Sequence, residues 1–153
     1  MGPDEQAKTN TQTILVVDDE LEDRQLMRAT LEAGGYRVLE ASNYHSGVNT
    51  FAQHSHEIDL LIADVSLPDA NGCELAKSLL EVNPDLKVLL VSGHAGAEVC
   101  RFYGLTSLEL HLLEKPFKPV DLLIRVYRVM LCCERFVISS LGADTRTRES
   151  VAS

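Results

Sequence analysis

The chain has 153 residues and a formal net charge of −9, with 14 Lys and Arg against 23 Asp and Glu. Its length suits one domain with a substantial core and is too short for two domains of ordinary size. The acidic balance argues against a surface that binds nucleic acid or an anionic membrane directly. Residues 1–13 are polar, and no apolar run approaches the roughly 18 residues that a membrane span needs, so neither a signal peptide nor a membrane anchor is expected.

Four cysteines stand at scattered positions, and none of their spacings matches a zinc site or a CxxC redox motif. They are Cys73, Cys100, Cys132 and Cys133. Reduced thiols that contribute to packing are expected, and with them a cytoplasmic protein.

Apolar runs typical of buried strands alternate with amphipathic helical patterns along the chain. The predicted strands are 14–17, 36–41, 58–63, 88–91 and 108–113. The predicted helices are 21–33, 43–53, 71–83, 95–103 and one that begins at Pro119. Near-continuous apolar strands separated by helices predict a parallel sheet covered on both faces, which is a doubly wound α/β sandwich.

The helical spacing also assigns one face of each helix to the core. Residues predicted on these inward faces include Ala52 and Tyr127, while Leu26 and Phe102 are apolar residues at helical spacing in their helices. We expect residues 1–12 to form a flexible arm, residues 13–133 the folded domain, and residues 134–153 a tail that is disordered at its end. The tail is too short for a helix-turn-helix unit, so a stand-alone domain or a piece of a larger protein is expected.

Polar side chains stand at the carboxyl ends of four predicted strands. Asp18 and Asp19 follow the first strand, Asp64 the third, Ser92 the fourth and Lys115 the fifth. In an open parallel sheet these ends face the crevice where ligands bind. Three carboxylates in one crevice repel each other unless a cation binds, and oxygen ligands favour Mg²⁺. A hydroxyl and an ammonium beside them suit a phosphoryl group, so the pattern predicts phosphoryl transfer onto Asp64.

Five linked motifs in this order resemble the receiver domain of two-component response regulators, over residues 13–131. The motifs are Asp18-Asp19, Asp64 followed by Leu67-Pro68, Asn71-Gly72, Ser92-Gly93 and Lys115-Pro116-Phe117. The resemblance implies a flavodoxin-like (βα)5 fold with strand order 2-1-3-4-5. It also implies a regulatory domain that promotes only its own phosphorylation and dephosphorylation.

The resemblance assigns a role to each site residue. Asp64 is expected to be the phospho-acceptor. Asp19, Asp64 and the backbone carbonyl of Ser66 are expected to ligate Mg²⁺, with Asp18 acting mainly through water. Ser92 is the expected switch hydroxyl. Lys115 is expected to contact the phosphoryl group, and the Lys115–Pro116 peptide bond to be cis.

The implied partner is a histidine kinase or a histidine phosphotransfer protein. A homodimer through the fourth helix, fifth strand and fifth helix is a further expectation from the resemblance. The stretch 112–117 is similar to receivers attached to hybrid histidine kinases.

One position departs from the family pattern. Three residues before Lys115, where the family usually carries a Tyr or Phe that swings inward on activation, this chain has Leu112. The neighbouring ring of His111 is expected on the opposite face of the strand. An aromatic switch is therefore not predicted, although phosphorylation is.

Other interpretations fit parts of the pattern. Singly, the Asp18-Asp19 pair suits a solvated helix start, Ser92 a turn and Lys115 a surface charge. A pseudo-receiver that serves only as an interaction module would keep the fold without the chemistry, and the intact residue set disfavours it. A phosphatase with an Asp nucleophile would need a second acid two residues after Asp64, where this chain has Ser66.

Overall fold

The strands and helices alternate as the sequence predicts. The computed structural model describes residues 11–93, 96–102 and 111–132. The strands are β1 (Thr13–Val17), β2 (Arg37–Ala41), β3 (Ile58–Asp64), β4 (Lys87–Ser92) and β5 (Leu112–Glu114). The helices are α1 (Leu21–Ala33), α2 (Tyr44–His54), α3 (Gly72–Val82), α4 (Gly96–Phe102) and α5 (Pro119–Leu131).

All strand pairs are parallel and their order is β2-β1-β3-β4-β5. The predicted flavodoxin-like α/β fold is therefore confirmed. Because the pairing is parallel, the carboxyl ends of the central strands meet at one edge of the sheet. At this edge Val17 pairs with Ala63, Asp64 with Val91, and Ser92 with Glu114.

Strand alternation divides the core into two apolar clusters. Leu15 and Leu61 contribute to the cluster beneath α2, α3 and α4, which also holds Cys73 and Cys100. The adjacent strand residues, such as Ile62, contribute to the cluster beneath α1 and α5. Both thiols are fully buried, as expected for packing cysteines. Burial on both faces explains why the central strands read as continuous apolar runs.

Asparagine side chains begin two helices where the sequence indicates. The Asn43 side chain accepts from the Ser46 backbone amide at 2.7 Å, and the reciprocal contact of a capping box is present. The Asn71 side chain accepts from the backbone amide of Glu74 at 2.9 Å. These caps satisfy amides that have no partner within the helix, and they place the start of α3 directly after the loop that follows Asp64.

The inward assignments of Ala52 and Tyr127 are wrong, and the apolar residues Leu26 and Phe102 are exposed as well. Leu26 is 45% exposed, Tyr127 59% and Phe102 80%, and Ala52 is also exposed. In α1 the buried residues are Met27, Thr30 and Leu31. Successive helix residues differ by about 100° in direction, so a residue next to a buried one can lie outside the narrow apolar stripe.

The bounds of the last strand also differ from the prediction. Its expected residues 108–110 lie outside the described residues, and β5 continues one residue further, to Glu114. His111 lies just before β5, where its Nδ1 is 2.9 Å from the carbonyl oxygen of Val88. Of the predicted arm, only residues 11 and 12 are described. The predicted tail, residues 134–153, lies outside the described residues. In the described part of the chain, no helix is long and apolar enough to cross a membrane.

Candidate functional site

Two buried carboxylates form the base of the site at the carboxyl edge of the sheet. Asp64 is the last residue of β3 and is 7% exposed, and Asp18 follows β1 and is fully buried. One oxygen of each is held by a backbone amide. The Ser66 amide donates to Asp64 Oδ1 at 2.8 Å, and the Glu20 amide donates to Asp18 Oδ1 at 2.9 Å. The local backbone therefore orients both carboxylates.

Lys115 brings a positive charge to the second oxygen of each carboxylate. Its Nζ donates to Asp64 Oδ2 at 2.8 Å, to Asp18 Oδ2 at 3.0 Å and to Asp23 Oδ2 at 2.9 Å. An ammonium has three N–H donors, so these bonds use all of them. The side chain of Lys115 is 19% exposed, which makes these ion pairs partly buried.

Burial and the neighbouring charges shift the pKa values of Asp18 and Lys115 in opposite directions. Burial raises the pKa of Asp18, although the Glu20 amide and Lys115 counteract it. Burial alone would lower the pKa of Lys115, but its bonds to Asp64, Asp23 and Asp18 outweigh that effect and raise the pKa above its usual value. Lys115 is therefore charged in the site and balances part of the negative charge there.

Asp23 is a site residue that the sequence pattern did not reveal. It lies in the first turn of α1 and ends no strand. The hydrogen bond from Lys115 lowers its pKa, and its own hydrogen bond with Glu20 raises the pKa of Glu20. One feature of the sequence could have indicated its role. Asp23 follows Asp18 by five residues and lies in a helix that starts at the same edge of the sheet.

The three predicted acidic residues lie close enough to share one cation. Ligand atoms of Asp18, Asp19 and Asp64 all lie within 4.8 Å of one another, and Asp19 is exposed. Hard oxygen donors with one side open to water match the preference of Mg²⁺, which retains several waters when bound by protein. The donor set therefore fits this metal. At Ser66 the observed contact is made by the amide, and ligation by its carbonyl stays a prediction.

A close backbone contact fixes the position of the Asp64 peptide. A Cβ on Gly72 would lie 2.4 Å from the backbone oxygen of Asp64. The Gly72 amide donates to the Val65 carbonyl at 2.9 Å, and Ser66 pairs with Asn71 in an isolated bridge. Only a residue without a side chain permits this approach, which joins the end of β3 to the start of α3.

Ser92, at the end of β4, has a different environment. It is 2% exposed, and its hydroxyl donates to the Gly93 carbonyl at 3.1 Å. A Cβ on Gly96 would lie 1.5 Å from Ser92 Oγ and 2.1 Å from Ser92 Cβ. The first residue of α4 therefore lies directly against the predicted switch side chain. The Lys115 amide donates to the Ser92 carbonyl at 2.7 Å, which ties the ends of β4 and β5 together.

Two features near Lys115 bear on the resemblance: the peptide bond that follows it, and Leu112 at the position where the family usually carries an aromatic residue. The Lys115–Pro116 peptide bond is cis, as the resemblance implied. Leu112 is 7% exposed and packs in the cluster that also contains Cys100 of α4. Its neighbour Leu113 packs in the opposite cluster. Position 112 thus contributes an aliphatic side chain to the core on the side of α4.

The sequence matches the family described as "Response regulator receiver domain" over residues 14–127. The chain belongs to this family. Receiver domains are regulatory phospho-acceptors of two-component systems rather than catalytic enzymes, and they interact with histidine kinases. The acidic cluster and Lys115 are consistent with that class of domain.

Curated relatives of the receiver are response regulators. The chain is 32% identical to the phosphate regulon transcriptional regulatory protein PhoB of Pseudomonas aeruginosa over 126 residues, which are 77% of this chain and 51% of PhoB. It is 28% identical to the response regulator receiver protein CpdR of Brucella abortus over 119 residues, which are 77% of this chain and 96% of CpdR. The chain thus spans about half the length of PhoB and nearly all of CpdR. The association with hybrid kinases stays a prediction.

Solved structures agree with this assignment. The receiver domain of HemR from Leptospira biflexa, in its non-phosphorylated form, has a TM-score of 0.67 and 31% identity, covering 81% of this chain and 98% of that one. A CheY-like receiver domain protein from Methanospirillum hungatei has a TM-score of 0.68 and 28% identity, covering 79% of this chain and 94% of that one.

Proposed function

We propose that this receiver accepts a phosphoryl group on Asp64, in a Mg²⁺-dependent transfer from a histidine kinase or histidine phosphotransfer protein, and that the modification switches a partner-binding surface. The observation that carries the proposal is the bond from Lys115 to Asp64 Oδ2 at 2.8 Å, beside two further carboxylates. The family match over residues 14–127 supports a receiver unit of residues 13–133, with residues 1–12 as an arm and residues 134–153 as a tail.

Asp64 is the nucleophile in this proposal. Its Oδ1 is held by the Ser66 amide, so Oδ2 is the oxygen that bonds to phosphorus. The P–N bond to the donor histidine breaks, and its electron pair returns to the imidazole nitrogen. Lys115 already contacts Oδ2 and stays close enough to bind a phosphoryl oxygen.

The metal site supports the same reaction. Asp18, Asp19 and Asp64 would hold Mg²⁺, together with the Ser66 carbonyl. When bound, the metal offsets negative charge on the carboxylate and phosphoryl oxygens. The carboxylates themselves cannot do this, because three of them in one crevice repel an incoming anion.

Ser92 is the switch residue of the proposal. Among the described residues, its hydroxyl donates to one neutral acceptor, the Gly93 carbonyl. A hydrogen bond to a charged group stabilises by about 1.5–3 kcal/mol, against about 1 kcal/mol for a neutral one. A phosphoryl group on Asp64 would therefore draw the Ser92 hydroxyl away from Gly93. Such a ligand biases two states through its different contacts in each.

We propose that α4, β5 and α5 form the surface that responds to phosphorylation. Its proposed partner is a second copy of this chain, which would form a homodimer. Both helices expose large apolar side chains, which is typical of interaction surfaces. They are Phe102 on α4, and Val120, Ile124, Tyr127 and Leu131 on α5.

Labelling with acetyl phosphate or a phosphohistidine donor tests the acceptor assignment. We expect one acid-stable and base-labile phosphoryl group, on Asp64, that requires Mg²⁺ and is lost in Asp64→Asn. Asp59→Asn is the matched control, since Asp59 lies near the other end of the same strand and bonds to the Thr13 amide. Labelling that persists in Asp64→Asn would contradict the proposal, and its absence in the wild type would favour a pseudo-receiver.

A further inference from the structure

Asp23 is a fourth carboxylate that the proposed phosphorylation chemistry leaves without a role. Its Oδ2 lies 2.9 Å from Lys115 Nζ, and its side chain is 35% exposed at the rim of the crevice. The group of carboxylates that can share a cation contains Asp18, Asp19 and Asp64 but not Asp23. Asp23 contacts the lysine and, at the rim, the side chain of Glu20.

A metal bound by Asp18 and Asp64 would lie beside the Lys115 ammonium, which contacts both carboxylates. The ammonium occupies Oδ2 of both Asp18 and Asp64, and backbone amides occupy their Oδ1 atoms. A divalent cation held by these carboxylates would come close to the ammonium. Two positive charges at such a short distance repel each other strongly at a partly buried site. The ammonium must therefore shift outward when the metal binds.

We propose that Asp23 is a positioning residue that holds the Lys115 ammonium at the rim while Mg²⁺ occupies the crevice. Lysine has a flexible four-carbon stem, so its ammonium can turn about one retained bond. The bond to Asp23 is the one of the three that uses no oxygen of the metal cluster. The ammonium then stays charged, paired and within reach of a phosphoryl oxygen. This inference rests on the proposed function, since it concerns the same metal site.

Removal of Asp23 changes the balance in a defined way. Asp23→Asn leaves Lys115 with Asp18 and Asp64 as its only carboxylate partners among these three, so metal binding must leave the ammonium without the charged partner at the rim. An ion left unpaired in a partly buried site is costly. We therefore expect Asp23→Asn to bind Mg²⁺ roughly fivefold more weakly than the wild type, within the range of coupling found inside ion-pair networks.

A Mg²⁺ titration of the full chain, followed by the backbone amide signals of Asp64 and Ser66, measures this effect. Glu22→Gln is the matched control, because Glu22 is the exposed neighbour of Asp23 on α1 and is not among the three partners of Lys115. It removes the same charge at nearly the same place. Asp23→Glu should restore most of the affinity, since it keeps the carboxylate.

A double-mutant cycle with Lys115→Met distinguishes two effects of Asp23 on Mg²⁺ affinity: positioning of the lysine and direct attraction between its charge and the metal. If Asp23 acts through the lysine, Asp23→Asn in that background should weaken Mg²⁺ no more than Glu22→Gln does. An effect that persists there would overturn the inference, and so would equal affinities for Asp23→Asn and Glu22→Gln in the wild-type background. Failure of the wild type to bind Mg²⁺ would instead refute the proposed metal site itself, and the inference with it.

The ammonium signal of Lys115 provides a second measurement that does not depend on the folding of Lys115→Met. With Mg²⁺ bound, the wild type should retain a ¹⁵N-detected ammonium signal, because the bond to Asp23 slows exchange with water. Asp23→Ala, which has no side-chain acceptor at this position, should lose it under the same conditions. Loss of the signal in Mg²⁺-bound wild type would show that Asp23 does not hold the ammonium.

Discussion

The loops after β3 and β4 differ in how they hold their central residue. After β3, residues 65–71 form a hydrogen-bonded unit, in which the Leu67 amide donates to the Ala70 carbonyl at 3.2 Å and Ser66 pairs with Asn71. The carboxylate of Asp69 also accepts from the first amides of α2. After β4, the described contacts of the Ser92 hydroxyl and of the Gly96 amide both go to the Gly93 carbonyl.

A glycine lies against the central residue in each region, but the contacted atoms differ. Gly72 lies against the backbone of Asp64, whereas Gly96 lies against the side chain of Ser92. A backbone neighbour cannot yield without moving the strand, so the end of β3 stays in place. The Ser92 hydroxyl can rotate, whereas Ser92 Cβ can separate from Gly96 only if the start of α4 moves. In our proposal, the region after β3 that holds Asp64 is therefore the rigid region, and Ser92 with the start of α4 is the movable region.

Leu112→Ala should have the largest effect on stability and tests whether the movable region needs a large side chain at position 112. Truncating a buried leucine lowers the free energy of unfolding by about 2–5 kcal/mol. We expect a loss at the lower end of that range, because β5 is an edge strand. The amide shifts around α4 on addition of beryllofluoride, a phosphoryl mimic, should persist. Urea denaturation and amide spectra measure the two quantities.

Leu113→Ala is the control, since Leu113 is buried equally in the opposite cluster. If Leu112→Ala lost the beryllofluoride-dependent shifts with its fold intact while Leu113→Ala retained them, Leu112 would be part of the switch. The movable region would then extend into β5.

Gly72→Ala should damage the rigid region. The new Cβ would lie 2.4 Å from the Asp64 backbone oxygen, so the end of β3 or the start of α3 must shift. Overpacking of this kind destabilises by about 1–3 kcal/mol. We expect phosphorylation of Asp64 by acetyl phosphate to slow at the same time, because the nucleophile moves relative to Lys115. Normal labelling with normal stability would show that this connection tolerates displacement.

Gly96→Ala should act on the movable region, because its Cβ would overlap Ser92 Oγ and Cβ and so displace the start of α4. Alanine is a better helix former than glycine, so the substitution gives α4 no reason to lose its helix. Its Cβ cannot fit against Ser92, so the resting arrangement is disfavoured. We expect beryllofluoride to bind several-fold more tightly, with spectra of the unmodified protein displaced toward the bound form. A shift of this kind requires only about 1 kcal/mol.

Gly93→Ala serves as the control for both glycines, because Gly93 is exposed and a Cβ there would meet nothing within 4 Å. It should leave stability, labelling and beryllofluoride affinity close to those of the wild type. Equal spectra for Gly96→Ala and Gly93→Ala would contradict the proposed link between α4 and Ser92.

The expectations that came closest to the structure depend on local chemistry. Asn43 and Asn71 start helices because their side chains satisfy amides a few residues away. Faces of helices were less predictable. Leu26 and Tyr127 are apolar and sit beside buried residues, yet both are exposed. Their direction depends on where α1 and α5 lie on the sheet, which the spacing alone does not specify.

The sequence by itself determined the alternation of strands and helices and the residues that end each strand, because apolar periodicity and helix caps act over short distances. It also placed Asp18, Asp64 and Lys115 at one edge of the sheet, since all parallel strands end on the same side. Only the tertiary structure decided that Asp23 joins Lys115, across a separation of 92 residues, and that Gly96 meets Ser92. These contacts depend on the rotation of α1 and α4 against the sheet, which is set by the packing of the whole core.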